Sequence, residues 1–239
     1  MPRWLPGLMW AVLGLSCPAL GLGYQEIPVL DGGTIRGRVV LSGPIPAPGV
    51  LPVHKNRAVC GSQVADQSLI VSPNRGVKNA AIIVEGVTAG KAVERGLAVL
   101  DNKACAFVPR VQTLVVGQTL ELRNSDPILH DAHAHLPSYE TLFNLGLPHW
   151  RRVRHTLRDT GRISIDCNVL HTWMRAYLIV TDHPYAATSD AEGRFSIGQV
   201  PAGGYTLRVW HERLGKLSRR IVVGAGRELV LDLAYEHAE

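Results

Sequence analysis

The sequence predicts an all-β chain, a β-sandwich with a smaller β unit after it, on three observations. Apolar and polar residues alternate with a period of two in short runs, 24 Gly and 15 Pro are scattered between those runs, and no window sustains a helical period. With 46% hydrophobic and 19% charged residues the chain is too apolar and too weakly charged for disorder. Its 239 residues suit one large or two small domains with a real core.

Residues 1–23 read as a secretory signal peptide: Arg3, an apolar stretch, then the small residues Ala19, Gly21 and Gly23. A spanning helix needs about 20 apolar residues, and this stretch is shorter and broken by Pro6 and Pro18. No transmembrane segment is expected, and a periplasmic or secreted location is. Cys17 after Leu15 and Ser16 admits a lipid anchor, although Leu15 sits one place late for the usual lipoprotein pattern. Removing the leader with its one basic residue lowers the formal charge from +5 to +4, a modest value that does not imply nucleic acid.

Strands are expected in TIRGRVVL, AAIIVEG, QTLVVGQTLELRN, RISIDCNV, RAYLIV, YTLRVW, RRIVV and ELVLDLAY, each bounded by Gly, Pro, Asn or Asp. Between the third and fourth, Tyr139 to Leu145 suggests a short helical turn. The basic run Arg151, Arg152, Arg154 and His155 reads as a solvated loop or strand edge, with a docking patch for an acidic partner as the alternative. Composition changes after Val180, dividing the mature chain into 24–182 and 183–239. The second piece is short for an independent core, so it is expected to pack on the first or borrow a strand, TIRGRVVL being the candidate.

Three cysteines remain in the mature chain, Cys60, Cys105 and Cys167. An oxidising compartment pairs cysteines where geometry permits. Cys60 with Cys105 is the default disulfide, pairs with Cys167 staying open, because CNVLHTWM sets a thiol beside an imidazole and a thioether. Strand alternation puts Ile163, Ile165 and Cys167 on one face and Arg162, Ser164 and Asp166 on the other. Met174 likewise shares a face with Ala176, Leu178 and Val180. A short turn can therefore gather Cys167, His171 and Met174 around one point.

A thiolate and two imidazoles with a distant thioether form the ligand set of type 1 copper. His130 is the expected second imidazole, since beyond the NSDP turn it shares parity with the small residues Ala132 and Ala134. His133 and His135 face the other way, as a polar turn or a secondary metal site. Zinc also takes nitrogen and sulfur ligands, but a thioether suits copper better. Trp173 is placed to keep water from the metal.

With these residues in view, the chain resembles the cupredoxins, in which one upstream His and a later Cys, His and Met bind copper. It is similar, more closely, to secreted bacterial cupredoxin-like proteins with a carboxypeptidase-regulatory-like segment, sometimes labelled methylamine utilisation proteins. DNKACAFVPRV, NSDPILHDAHA, FNLGLP, CNVLHTWMRAYLIVTDHPY and SDAEGRFSIGQVPAGGYTLRVWHERLG carry that likeness. The resemblance implies a Greek-key cupredoxin-like sandwich and copper held by His130, Cys167, His171 and Met174. It also implies single-electron transfer or copper holding, the electron leaving through the His171 edge, with a redox or copper-handling protein as partner. The chain departs from that pattern in a longer Cys167 to His171 loop, in Asp131 where Asn often follows the first His, and in Arg110 where His is frequent.

Two other readings stand beside it. One is a structural or adhesive sandwich with an inert Cys167, binding a protein or glycan. The other is an enzyme with an open copper position near Asp131. No G-x-S-x-G, P-loop or H-E-x-x-H motif supports hydrolase or nucleotide chemistry, so a non-enzyme is expected. Trp210, His211 and Glu212 read as an edge-strand cluster, with contact to the copper unit as the alternative.

Overall fold

In the computed structural model, residues 23–237 together with Met1 are described; the expected leader and Cys17 lie outside the described residues, apart from its two ends. In chain order the elements begin with β1 (Gln25–Glu26), β2 (Gly33–Leu41), β3 (Val50–Pro52), the helical turn α1 (Arg57–Cys60), β4 (Gln63–Ala65), β5 (Ala81–Glu85) and β6 (Ala89–Gly90). There follow β7 (Ala98–Lys103), β8 (Ala106–Val108), β9 (Val111–Val115), β10 (Thr119–Asn124), β11 (His130–His135), β12 (Thr141–Leu147), β13 (Arg152–Thr156), β14 (Gly161–Asp166) and β15 (Arg175–Thr181). The chain closes with β16 (Ala186–Thr188), β17 (Arg194–Val200), β18 (Gly203–His211), β19 (Gly215–Val223) and β20 (Glu228–Tyr235). No helix among the described residues is long and apolar enough to cross a membrane.

Two sandwiches result. The first sets the sheet β13-β10-β7-β8 against β12-β11-β14-β15-β9. Leu100, Leu120, Leu122, Ala132, Ala134, Ile163, Ile165, Ala176 and Leu178 fill its core, the inward half of each alternating run. The second sets β16-β5-β18-β19 against β17-β2-β20, around Ile35, Val39, Ile82, Val84, Phe195, Leu207, Val209 and Leu233.

Strands from before residue 182 thus complete the second sandwich. TIRGRVVL is lent: β2 lies between β17 and β20, antiparallel to one and parallel to the other. A second strand, β5, is lent too, and pairs with β18 and β16. The C-terminal segment needs both, since either sheet without its lent member loses a strand that bridges two neighbours. Gly37 permits the β2 and β20 contact, because a Cβ there would overlap the Leu231 carbonyl oxygen.

Three local expectations are corrected. The stretch foreseen as a helical turn is the strand β12, drawn into the ladder by the open edge of β11, with Ala132 opposite Leu145 and Ala134 opposite Phe143. QTLVVGQTLELRN is two strands in opposite sheets, turned at Gly117, whose φ of 83° suits glycine. Trp210 to Glu212 is no edge cluster, because β18 is flanked by β5 and β19. Trp210 instead meets Tyr177 at 4.9 Å between ring centroids, and with Ala81, Val111 and Ile179 forms a small core between the sandwiches. The basic run is the edge strand β13, where Arg154 pairs with Glu121 at 3.0 Å; charge on an edge strand discourages pairing with another chain.

Candidate metal centre

His130 opens β11, Cys167 follows β14 directly, and His171 and Met174 lie in the loop from Cys167 to β15. All four side chains are buried, both histidines fully. Cys167 Sγ stands 3.8 Å from His130 Nδ1 and 3.6 Å from His171 Nδ1, and the two Nδ1 atoms are 3.0 Å apart. Among the described residues this is the only group of three ligating side chains within reach of one ion. Met174 follows in the same turn, its amide donating to the His171 carbonyl at 2.9 Å.

The far side of each ring has its own partner. His130 Nε2 meets Asp126 Oδ2 at 2.9 Å, and His171 Nε2 meets Asn56 Oδ1 at 2.8 Å. Both partners are acceptors, so each neutral ring carries its proton on Nε2 and turns an Nδ1 lone pair inward. Two lone pairs facing each other beside a thiol are an arrangement that a cation between them stabilises; the donor set fits a borderline or soft metal ion.

Burial pushes the Cys167 thiol up to about 12. It pulls His171 down to about 4, helped by His130 and Lys55, and lowers His130 against the pull of Asp126. Without metal the rings are neutral and the thiol keeps its proton, which a bound dication displaces.

Asp126 is the pivot of the NSDP turn. It accepts from the amides of Ala104 at 2.7 Å and Cys105 at 2.8 Å as well as from His130. Asn124 steadies the same turn by donating to the carbonyls of Ile128 and Leu147. Asp131 is engaged by the ligand loop: one carboxylate oxygen accepts the Asn168 amide, and its own amide donates to Cys167 Sγ at 3.5 Å. Trp173 lies 5.1 Å from His171 between ring centroids and donates to the Cys105 carbonyl.

The His171 edge, through which the electron is expected to leave, does not lie at the surface. Residues 50–65 cross that edge as the hairpin of β3 and β4 around α1, and His171 is left with no exposed surface. Cys60 and Cys105 are disulfide-bonded, Cα atoms 5.7 Å apart, and Cys167 is free. His133 and His135 lie apart from the cluster, on the opposite face of β11. His133 Nε2 meets Thr141 Oγ1 at 2.8 Å, while His135 has Leu136 O and Asp166 Oδ2 at its two ring nitrogens. Arg110 is turned to Glu212. Asn56 and Asp126 escaped the sequence reading. Asp126 carried a signal, an acid in a tight turn four residues before a ligand, and Asn56 carried none beyond its nearness to Cys60.

No protein-family model matches the chain, and no curated protein matches it. Among solved structures it is similar to a copper-containing nitrite reductase from Thermus scotoductus, at 26% identity over 38% of this chain, with a TM-score of 0.33. The match spans 24% of the reductase's length. A purple cupredoxin from Nitrosopumilus maritimus matches at 22% identity over 35% of this chain and 99% of its own, TM-score 0.32. An amicyanin variant matches at 20% over 37% and 86%, TM-score 0.33.

Proposed function

We propose that the protein is a periplasmic or secreted cupredoxin-like protein that binds one copper ion and carries single electrons or holds the metal. The observation behind this is the convergence of two buried Nδ1 atoms and a buried thiol, each ring held from behind by its own acceptor. His130, Cys167 and His171 would hold the ion, with Met174 as a fourth ligand. Copper bound there would supply a one-electron couple. The β-sandwich supplies rigidity: His130 is fixed at the start of a central strand and Cys167 at the end of its neighbour, so the donors move little between oxidation states.

Partner and location follow the same reading, a redox or copper-handling protein outside the cytoplasm. The reading includes no catalytic step; Asp131 accepts the Asn168 amide, and His171 has no exposed surface. A visible titration with Cu(II) tests the proposal. An intense thiolate-to-copper band that vanishes in Cys167→Ser is expected; absence of the band and of bound copper in the wild-type protein would overturn it and favour the structural sandwich.

A further inference from the structure

We infer that Asn56 is a positioning residue for His171, and that residues 50–65 form a strap holding that ligand in one tautomer away from solvent. The inference rests on the metal-site reading above and concerns residues outside the ligand set.

Asn56 stands at the start of α1 with φ 58° and ψ 36°, a left-handed conformation that Asn tolerates better than most residues. An Asn at a helix start ordinarily spends its side chain on capping an amide of the first turn. Asn56 makes no such bond. Its backbone carbonyl takes the amides of Val59 and Cys60, both at 2.9 Å, which frees the side chain to meet His171 Nε2.

The strap that carries Asn56 is secured at several points. Val53 is fully buried in the core of the first sandwich. Arg57 Nε donates to the Val53 carbonyl at 2.7 Å, and Val53 donates to Ser62 at 3.0 Å. The Cys60–Cys105 bond ties the strap to the loop after β7. Cys105 in turn donates its amide to Asp126 Oδ2, the atom that also meets His130. One cross-link thus stands four residues from the partner of His171 and one hydrogen bond from the partner of His130. Both rings are held from behind by a single connected unit, which fixes where their Nδ1 atoms point.

The test uses the full mature chain and two variants. Asn56→Gly removes the side chain while keeping the left-handed backbone free of strain. Asn56→Asp keeps an acceptor there. In metal-free wild type, nitrogen NMR is expected to show His171 as a single Nε2–H tautomer with a slowly exchanging ring proton. Asn56→Gly is expected to lose that protected proton and, in competition titrations, roughly ten- to a hundredfold in Cu(II) affinity; Asn56→Asp is expected to restore both. A glycine variant that keeps the protected proton and wild-type affinity would overturn the inference, as would an Nδ1–H tautomer in wild type. A wild type that binds no copper but whose ring proton depends on Asn56 would remove the copper reading and leave the positioning role standing.

Discussion

Arg110 and Glu212 clasp the two sandwiches with a two-pronged ion pair, Nε to Oε1 and Nη2 to Oε2, the latter at 2.8 Å. The side chains are only 11% and 7% exposed. Arg110 precedes β9 in one sandwich and Glu212 follows β18 in the other, beside the Tyr177 and Trp210 contact. The pair therefore stands at one end of the small apolar core between the sandwiches, with Arg162 over the Trp210 ring as a further charged contact.

Removing one member leaves the other buried without a counter-charge, at a cost of about 3–5 kcal/mol. Glu212→Ala is expected to lower the unfolding free energy from urea titration by that amount, read as a lower midpoint at unchanged slope. Arg110→Met combined with Glu212→Leu is expected to recover most of it, because no charge is left to desolvate. A double variant as unstable as the single one would contradict this account.

Asp126→Ala strands the amides of Ala104 and Cys105 and the Nε2–H of His130 together. Each buried donor left unpaired costs roughly 1–3 kcal/mol, so a loss of several kcal/mol in metal-free stability is expected by thermal denaturation. Copper affinity should fall roughly ten- to a hundredfold as well. Unchanged stability would show that water replaces the carboxylate.

Copper binding should release close to one proton near neutral pH. The thiol of Cys167, pushed up to about 12 by burial, is the group that must ionise, whereas His171, pulled down to about 4, is already neutral. A pH-stat titration reads this directly, and affinity should rise about tenfold per pH unit around neutrality. Release of two or more protons would mean that a histidine is charged before metal binds.

Acid should weaken the second sandwich through His211, which burial pulls from 6.5 to about 4. The unfolded chain binds this proton below about 6.5 and the folded chain only below about 4. Stability from this group is therefore complete above the upper value and is lost as pH falls through the window between them. A loss of about 3 kcal/mol across it is expected, and His211→Phe should flatten that part of the profile. An equally steep profile in the variant would assign the acid sensitivity elsewhere.

Much of the site is written in local pattern. Strand side chains alternate whatever the strand pairs with, so the inward placement of Ile163, Ile165 and Cys167, and of His130 with Ala132 and Ala134, follows from parity alone. The spacing of Cys167, His171 and Met174 likewise needs only one short loop. Tyr139 to Leu145 reads as a helical turn because Leu142, Phe143 and Leu145 fit either period, and only the open edge of β11 selects the strand.

What the tertiary structure alone decided lies farther apart in the chain. Asn56 reaches a ring 115 residues away, β2 and β5 join a sandwich whose other strands begin at Ala186, and Arg110 finds Glu212 across 102 residues. Parity sets the face a residue points to but not which strand or strap covers that face. That choice is made by competition among all segments for the same buried surface. By itself, then, the sequence determined a β architecture and a set of inward donors; three-dimensional packing determined that His171, whose edge was expected at the surface, is enclosed.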